Sequence, residues 1–145
     1  MSTPWSLDAE PNTATLISLT HLLVSRRVSE GVAAAGHPVK PSYGAVFAQI
    51  GPEGSRLTDL ARGAEMSPQS MGELVDELEG LGYVVRTPDP RDRRAKLIVL
   101  TDSGRRCSAA GRDSVAALER EITDTLGARG HGQLRRMLLQ LLDRG

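Results

Sequence analysis

From residue 13 to residue 35 apolar side chains recur at near-helical steps, with Leu16, Leu19, Leu23 and Val28 leading into an alanine-rich run that stops at Gly36. That period, closed by a glycine, predicts one long helix. Two prolines in "HPVKPS" interrupt it. Beyond them Ser42 stands where it can cap a short apolar helix bearing Tyr43, Val46, Phe47 and Ile50, and "GPEG" supplies the turn that ends it. The next stretch, "LTDLARGAEMSPQSMGELVDELEGLGYV", reads as two helices about a tight break near Gly63 to Met66. The second has Ser67 in N-cap position and Pro68 at the first helical position, where a missing N–H does no harm. Wound at about 100° per residue, it places Met71, Leu74, Val75, Leu78 and Leu81 on one stripe, with Gln69, Gly72, Glu73 and Asp76 opposite.

After Gly82 the period changes. Tyr83 to Arg86 and Lys96 to Leu100 are β-prone runs separated by a charged loop, which predicts a two-stranded hairpin too long for a tight turn. Thr101 can cap a second long helix, on which Cys107, Gly111, Val115, Leu118, Ile122 and Leu126 recur every three or four residues. A break across Gly127 to Gly132 precedes a last helix striped by Leu134, Met137, Leu138, Leu141 and Leu142. The expected fold is mainly α with a small β-wing: about six helices and a two- to three-stranded sheet, in the order of a winged helix-turn-helix.

Composition narrows the function. With 39% apolar and 25% charged residues, 145 residues suit one soluble globular domain, 1–145. No apolar run approaches the roughly 18 residues of a membrane span, and "MSTPWSLDAEPN" lacks the basic-then-apolar order of a signal peptide, so a cytoplasmic location is expected. Cys107 is the only cysteine, which excludes an internal disulfide and a thiolate zinc cluster. His21, His37 and His131 form no i,i+4 pair, so neither a metal nor another cofactor is expected. The 18 basic and 18 acidic residues balance overall, yet Arg86, Arg91, Arg93, Arg94 and Lys96 crowd one segment against only Asp89 and Asp92. That segment spans the loop of the expected hairpin and the two residues at its base.

A helix enters the roughly 12 Å wide major groove of DNA only if its leading turns carry small or polar side chains on the free face. Residues 67 to 76 meet this requirement. Gln69 can pair with adenine through two hydrogen bonds, Ser67 and Ser70 can donate to phosphate, and the free N–H groups of the helix start favour an anion. Glu73 can accept from cytosine N4, whereas Asp76, Glu77 and Glu79 are expected further from phosphates. Taken alone, the helix reads equally as an amphipathic core helix with a solvated acidic face. The hairpin tips the balance, because Arg91, Arg93 and Arg94 near its tip suit the deep negative potential of a narrow minor groove. Asp92 can hold one of these arginines extended by a charge-assisted bond. Arg86 and Lys96, at the hairpin base, fit either phosphate contacts or rim ion pairs, and the bland alternative for the loop is a solvated charged turn.

These residues resemble the MarR family of winged helix-turn-helix transcription regulators. The likeness rests on "LTDLARGAEMSPQSMGELVDELEGLGYVVRTPDPRDRRAKLIVLTDSGRR", residues 57 to 106, and above all on Asp92–Arg93–Arg94 followed by "LIVLTDSG". It implies a homodimeric regulator, a repressor by expectation, on a pseudo-palindromic operator in double-stranded DNA, with release or retention governed by a small molecule or oxidation and a role in the response to stress. It places the minor-groove arginine at Arg94 with Asp92 as its orienting partner, and the recognition contacts at Ser67, Gln69, Ser70 and Glu73. Family effectors lodge between the dimerisation helices and the DNA-binding lobe, which would bring His21, Tyr43, Phe47 and Trp5 near a pocket. The family's redox cysteine, near the start of the first long helix, has no counterpart here; Cys107 on an apolar stripe reads as a buried, inert thiol.

The expected organisation is a DNA-binding lobe at 41–101 flanked by dimerisation helices at 12–36 and 102–145. Those helices carry apolar stripes that a lobe of about 60 residues covers only in part, so a second copy of the chain is the expected cover. The competing reading is a winged-helix module that contacts proteins and not DNA. An enzyme is disfavoured, since no nucleophile–base pair, paired acids or Gly-rich phosphate loop is present.

Overall fold

The structure, a computed structural model, describes residues 10–145. It contains α1 (Thr13–Ala34), a single 3-10 turn (Pro41–Tyr43), α2 (Gly44–Gln49), α3 (Leu57–Gly63), α4 (Pro68–Gly80), the hairpin β1 (Val84–Asp89) and β2 (Asp92–Leu100), and α5 (Asp102–Leu142). The expected winged helix-turn-helix order is therefore present. Ser55 pairs with Ile98 as an isolated bridge, a third strand reduced to one residue.

Local chemistry sets the boundaries. The Asn12 carboxamide accepts from Thr15 N at 2.9 Å to open α1, and the Ser67 hydroxyl accepts from Ser70 N at 3.1 Å to open α4. Thr101 does the same for Gly104 N at 3.1 Å while donating to Gly82 O at 2.6 Å, so one hydroxyl both caps α5 and ties it to the end of α4. The helix can start there only because Gly104 lacks a Cβ, which would collide with the Tyr83 carbonyl. Ser42 does not act as the expected cap. Residues 41 to 43 wind into the 3-10 turn, and α2 starts with no side-chain cap.

Tyr43, Val46, Leu60, Ala61, Met71, Val75, Leu78, Tyr83, Val84 and Ile98 form one buried core inside the lobe, joined by Val32 of α1 and Cys107 of α5. The expected α4 stripe packs there with one exception. Leu81 is exposed, because it follows the last helical residue and the chain turns away at Gly82, φ +81°. Cys107 is buried, and burial pushes its thiol pKa up, away from a reactive thiolate.

α5 carries both expected C-terminal helices. The break falls at Gly127 alone (φ 73°, ψ 161°) and not across residues 127 to 132, since Gly130 and Gly132 stay helical. His131 bridges the break: its Nδ1 lies 2.8 Å from Thr123 Oγ1 and its Nε2 3.1 Å from Glu119 Oε2. α1 packs along α5 where Gly31 leaves room for Ser114, and Arg27 pairs with Glu121 at 3.4 Å. Beyond that contact α1 and α5 expose Leu16, Ile17, Leu22, Leu23, Val115, Leu126, Met137, Leu138, Leu139, Leu141 and Leu142.

Candidate nucleic-acid interface

The hairpin turns more tightly than its composition suggests. Val84 to Pro88 pair in register with Leu100 to Lys96, and Asp89 then faces Asp92, so Pro90 and Arg91 alone make the turn. The surplus Arg93, Arg94 and Ala95 form a bulge in β2 between those two pairings. A long loop was expected; the bulge absorbs its extra residues, since a bulge lodges unpaired residues on one strand while bending it outward. Arg91 sits at the tip, Arg93 and Arg94 on the bulge, and Lys96 just below, all exposed.

The nearby acids are disposed of one by one. Asp89 is the only buried charged residue of the described chain, 4% exposed. Its Oδ2 accepts from Arg56 Nε at 2.8 Å and lies 2.7 Å from Arg56 Nη2, while Oδ1 accepts from Arg91 N at 2.9 Å. The Arg91 amide and the Arg56 guanidinium hold its carboxyl below the usual carboxylate range. Asp76 and Glu79 of α4 both take the Arg86 guanidinium, at 2.7 and 2.8 Å, and Glu79 also accepts from Arg86 N at 3.0 Å. Arg86 is thus ion-paired here, with its side chain 28% exposed and its donors facing those carboxylates. Glu77 binds Lys40 Nζ at 2.7 Å and accepts from the Tyr43 hydroxyl at 2.5 Å, and those two bonds lower its pKa.

Asp92 is exposed and accepts from the Arg94 backbone N at 3.0 Å. It therefore shapes the bulge through the main chain, where a bond to an arginine side chain was expected; an aspartate two residues before an amide closes that short ring most readily. On α4, Gln69, Ser70 and Glu73 are exposed. Ser67, also exposed, is engaged by the cap and donates to Ser70 Oγ at 2.9 Å.

Of the expected effector residues, His21, Tyr43 and Phe47 do not line the cavity between α1 and α5. Tyr43 is buried with its hydroxyl on Glu77, Phe47 packs edge-on against Tyr83 at 6.2 Å between ring centroids, and His21 lies on the exposed side of α1. Trp5 lies outside the described residues. A cavity of about 640 Å³ opens between α1 and α5, with Arg27, Glu30, His37, Arg106, Ala117 and Leu118 among its walls. Tyr43 belongs to the lobe core and Phe47 packs against it. Among the described residues no group of three His, Cys, Asp or Glu side chains is placed to hold a metal, and no helix is long and apolar enough to cross a membrane.

Arg56 was missed from the sequence. The one available signal was Asp89, an acid between two prolines inside a basic segment, which implied a cation from elsewhere in the chain.

A capped helix with a polar leading face, beside a cation-tipped hairpin, defines a winged helix-turn-helix protein. A model of the MarR family matches residues 37–95. Among solved structures, CouR from Rhodococcus jostii RHA1 bound to p-coumaroyl-CoA is 31% identical, with a TM-score of 0.71 over 90% of this chain and 91% of that one. The transcriptional repressor CouR bound to a 23-mer DNA duplex is 26% identical, with a TM-score of 0.75 over 90% and 92%. The transcriptional activatory protein BadR of Rhodopseudomonas palustris is 42% identical over 52 residues, 36% of this chain; the match spans 30% of BadR's length. The chain belongs to the MarR family of transcriptional regulators.

Proposed function

We propose that the chain is a homodimeric, cytoplasmic transcriptional repressor that binds a pseudo-palindromic operator in double-stranded DNA and answers to a small-molecule effector. The observation that carries this reading is the wing tip: Arg91, Arg93, Arg94 and Lys96 are exposed, while Asp89 is buried against Arg56 and the acids of α4 other than Glu73 are paired. The guanidinium groups of the bulge enter the minor groove, Arg94 foremost. Gln69, Ser70 and Glu73 face base edges in the major groove, with Ser67 at a phosphate. The apolar faces left open on α1 and α5 pair with those of a second copy, which sets two recognition helices roughly 34 Å apart. The repressor sign follows CouR, whose likeness extends over nine-tenths of the chain. The α1–α5 cavity is the effector site this reading favours, and the p-coumaroyl-CoA bound to CouR makes a CoA thioester the first probe. No enzymatic activity is assigned.

The test is duplex binding by the purified protein, using fragments selected from genomic DNA. Affinity falls steeply with salt as phosphate counterions are released. Arg94→Ala costs about 1 to 3 kcal/mol of binding with the fold intact. A protein-contact module shows neither effect, and salt-insensitive or absent duplex binding would establish that reading instead.

A further inference from the structure

The two ends of the wing are anchored differently. At its base the hairpin is held by main chain: Ser55 N donates to Ile98 O at 3.0 Å and Ile98 N to Ser55 O at 2.8 Å, so the residue before Arg56 is stitched to β2. Arg86 adds a clamp from β1 to α4. Past Lys96 the ladder is interrupted by the bulge, and only the Asp89–Asp92 pairing remains. A two-stranded ribbon standing alone is marginally ordered in water, and the bulged end buries no apolar residue of its own. What reaches it is Arg56. From the N-cap position of α3 its guanidinium engages Asp89 at the tip, and the other oxygen of Asp89 fixes the Arg91 amide.

We infer that Arg56 is a positioning residue for DNA binding: acting through Asp89, it fixes the direction in which the tip and bulge present Arg91, Arg93 and Arg94 to the minor groove. This rests on the DNA-binding reading above. The chemistry favours a locating role. A carboxylate this buried stays charged only with a partner, and the partner chosen lies 33 residues back in sequence at the entry to α3, the helix that buries Leu60 and Ala61 in the lobe core. The Arg91 amide and the Arg56 guanidinium hold the Asp89 carboxyl below the ordinary carboxylate range, which favours the charged form of the strut. Arg56 itself remains 41% exposed, which leaves its far side in solvent.

A double-mutant cycle separates positioning from direct contact. Parent, Arg56→Gln, Arg94→Ala and the double variant are titrated by fluorescence anisotropy against the selected operator duplex. Arg56→Gln and Arg94→Ala each weaken binding about tenfold or more, and the double variant binds within about twofold of the weaker single variant, because residues acting through one network are not additive. Hydroxyl-radical footprints give the readout that a general loss of structure would not move selectively. Arg56→Gln loses minor-groove protection beside each half-site and keeps protection within it. Arg56→Lys recovers part of both effects. Thermal melting checks the fold, and Asp89→Asn, a near-isosteric change, repeats the cycle if Arg56→Gln melts early. Multiplicative losses in the double variant, or parental affinity in Arg56→Gln, overturn the inference while the wing reading stands. A parent that binds no duplex, or an Arg94→Ala variant that binds like the parent, overturns the wing reading and this inference with it.

Discussion

The lobe and the long helices treat their apolar residues in opposite ways. Ten of the twelve buried core residues lie between Tyr43 and Ile98, whereas α1 and α5 contribute only Val32 and Cys107. Among the large exposed apolar side chains the ratio inverts: α1 and α5 carry eleven, and the lobe shows only Leu81 and Val85. A single chain that completes one core and leaves another open is two structural problems solved at different levels. The lobe closes on itself. The helices leave apolar faces open, and the second copy proposed above is what would cover them, since an exposed apolar surface of this extent marks a site of association.

The contrast breaks most visibly at the helices. Leu22→Asp combined with Leu138→Asp places charges on two of the open positions, which contribute nothing to the lobe core. We expect a folded lobe that sediments as a monomer, with operator affinity lowered at least about 1,000-fold, to the level of non-specific binding. An interface of about 2,000 Å² or more does not survive two buried carboxylates. Unchanged dimer mass by light scattering would show that these faces are not the interface.

Inside the lobe the same removal of apolar contact acts on the single chain. Leu60 is fully buried in α3 against the α4 stripe. Leu60→Ala costs about 2 to 5 kcal/mol of stability, the range for a core leucine that leaves a cavity. Denaturant unfolding measures it. A loss well under 1 kcal/mol would mean that the lobe leans on the helices for its core.

What the sequence disclosed follows the same division. The α4 stripe, the Ser67 and Thr101 caps and the wing arginines were all legible, because each depends on neighbours within a few residues. The wing's shape was not. The stretch between Arg86 and Lys96 reads as loop, since a bulge looks like surplus length until its partner strand is known. The Arg56–Asp89 bond joins residues 33 positions apart, beyond any local pattern. The surroundings of Tyr43 and Phe47 were illegible for a related reason: only packing shows that the Tyr43 hydroxyl is bonded to Glu77 and that Phe47 meets Tyr83. Leu81 failed in the opposite direction, since a helical wheel assigns it to the core one residue after the helix has ended.

Leu81 also gives the smallest and sharpest prediction. It is 56% exposed, much like Leu22 at 63%, so exposure alone does not distinguish them. Their surroundings do. Leu22 shares α1 with three other exposed apolar residues, Leu16, Ile17 and Leu23, while Leu81 stands at the C-terminal end of α4 beside the turn at Gly82. A lone exposed leucine is ordinary protein surface. Leu81→Gln should therefore change stability by no more than about 0.5 kcal/mol and leave dimerisation and operator affinity at parental values. The same substitution at Leu22 should raise the dimer dissociation constant measurably, with little effect on the unfolding of the monomer. If Leu81→Gln instead weakens the dimer, the interface reaches the lobe at the end of the recognition helix, and the division between a closed core and an open one has been drawn in the wrong place.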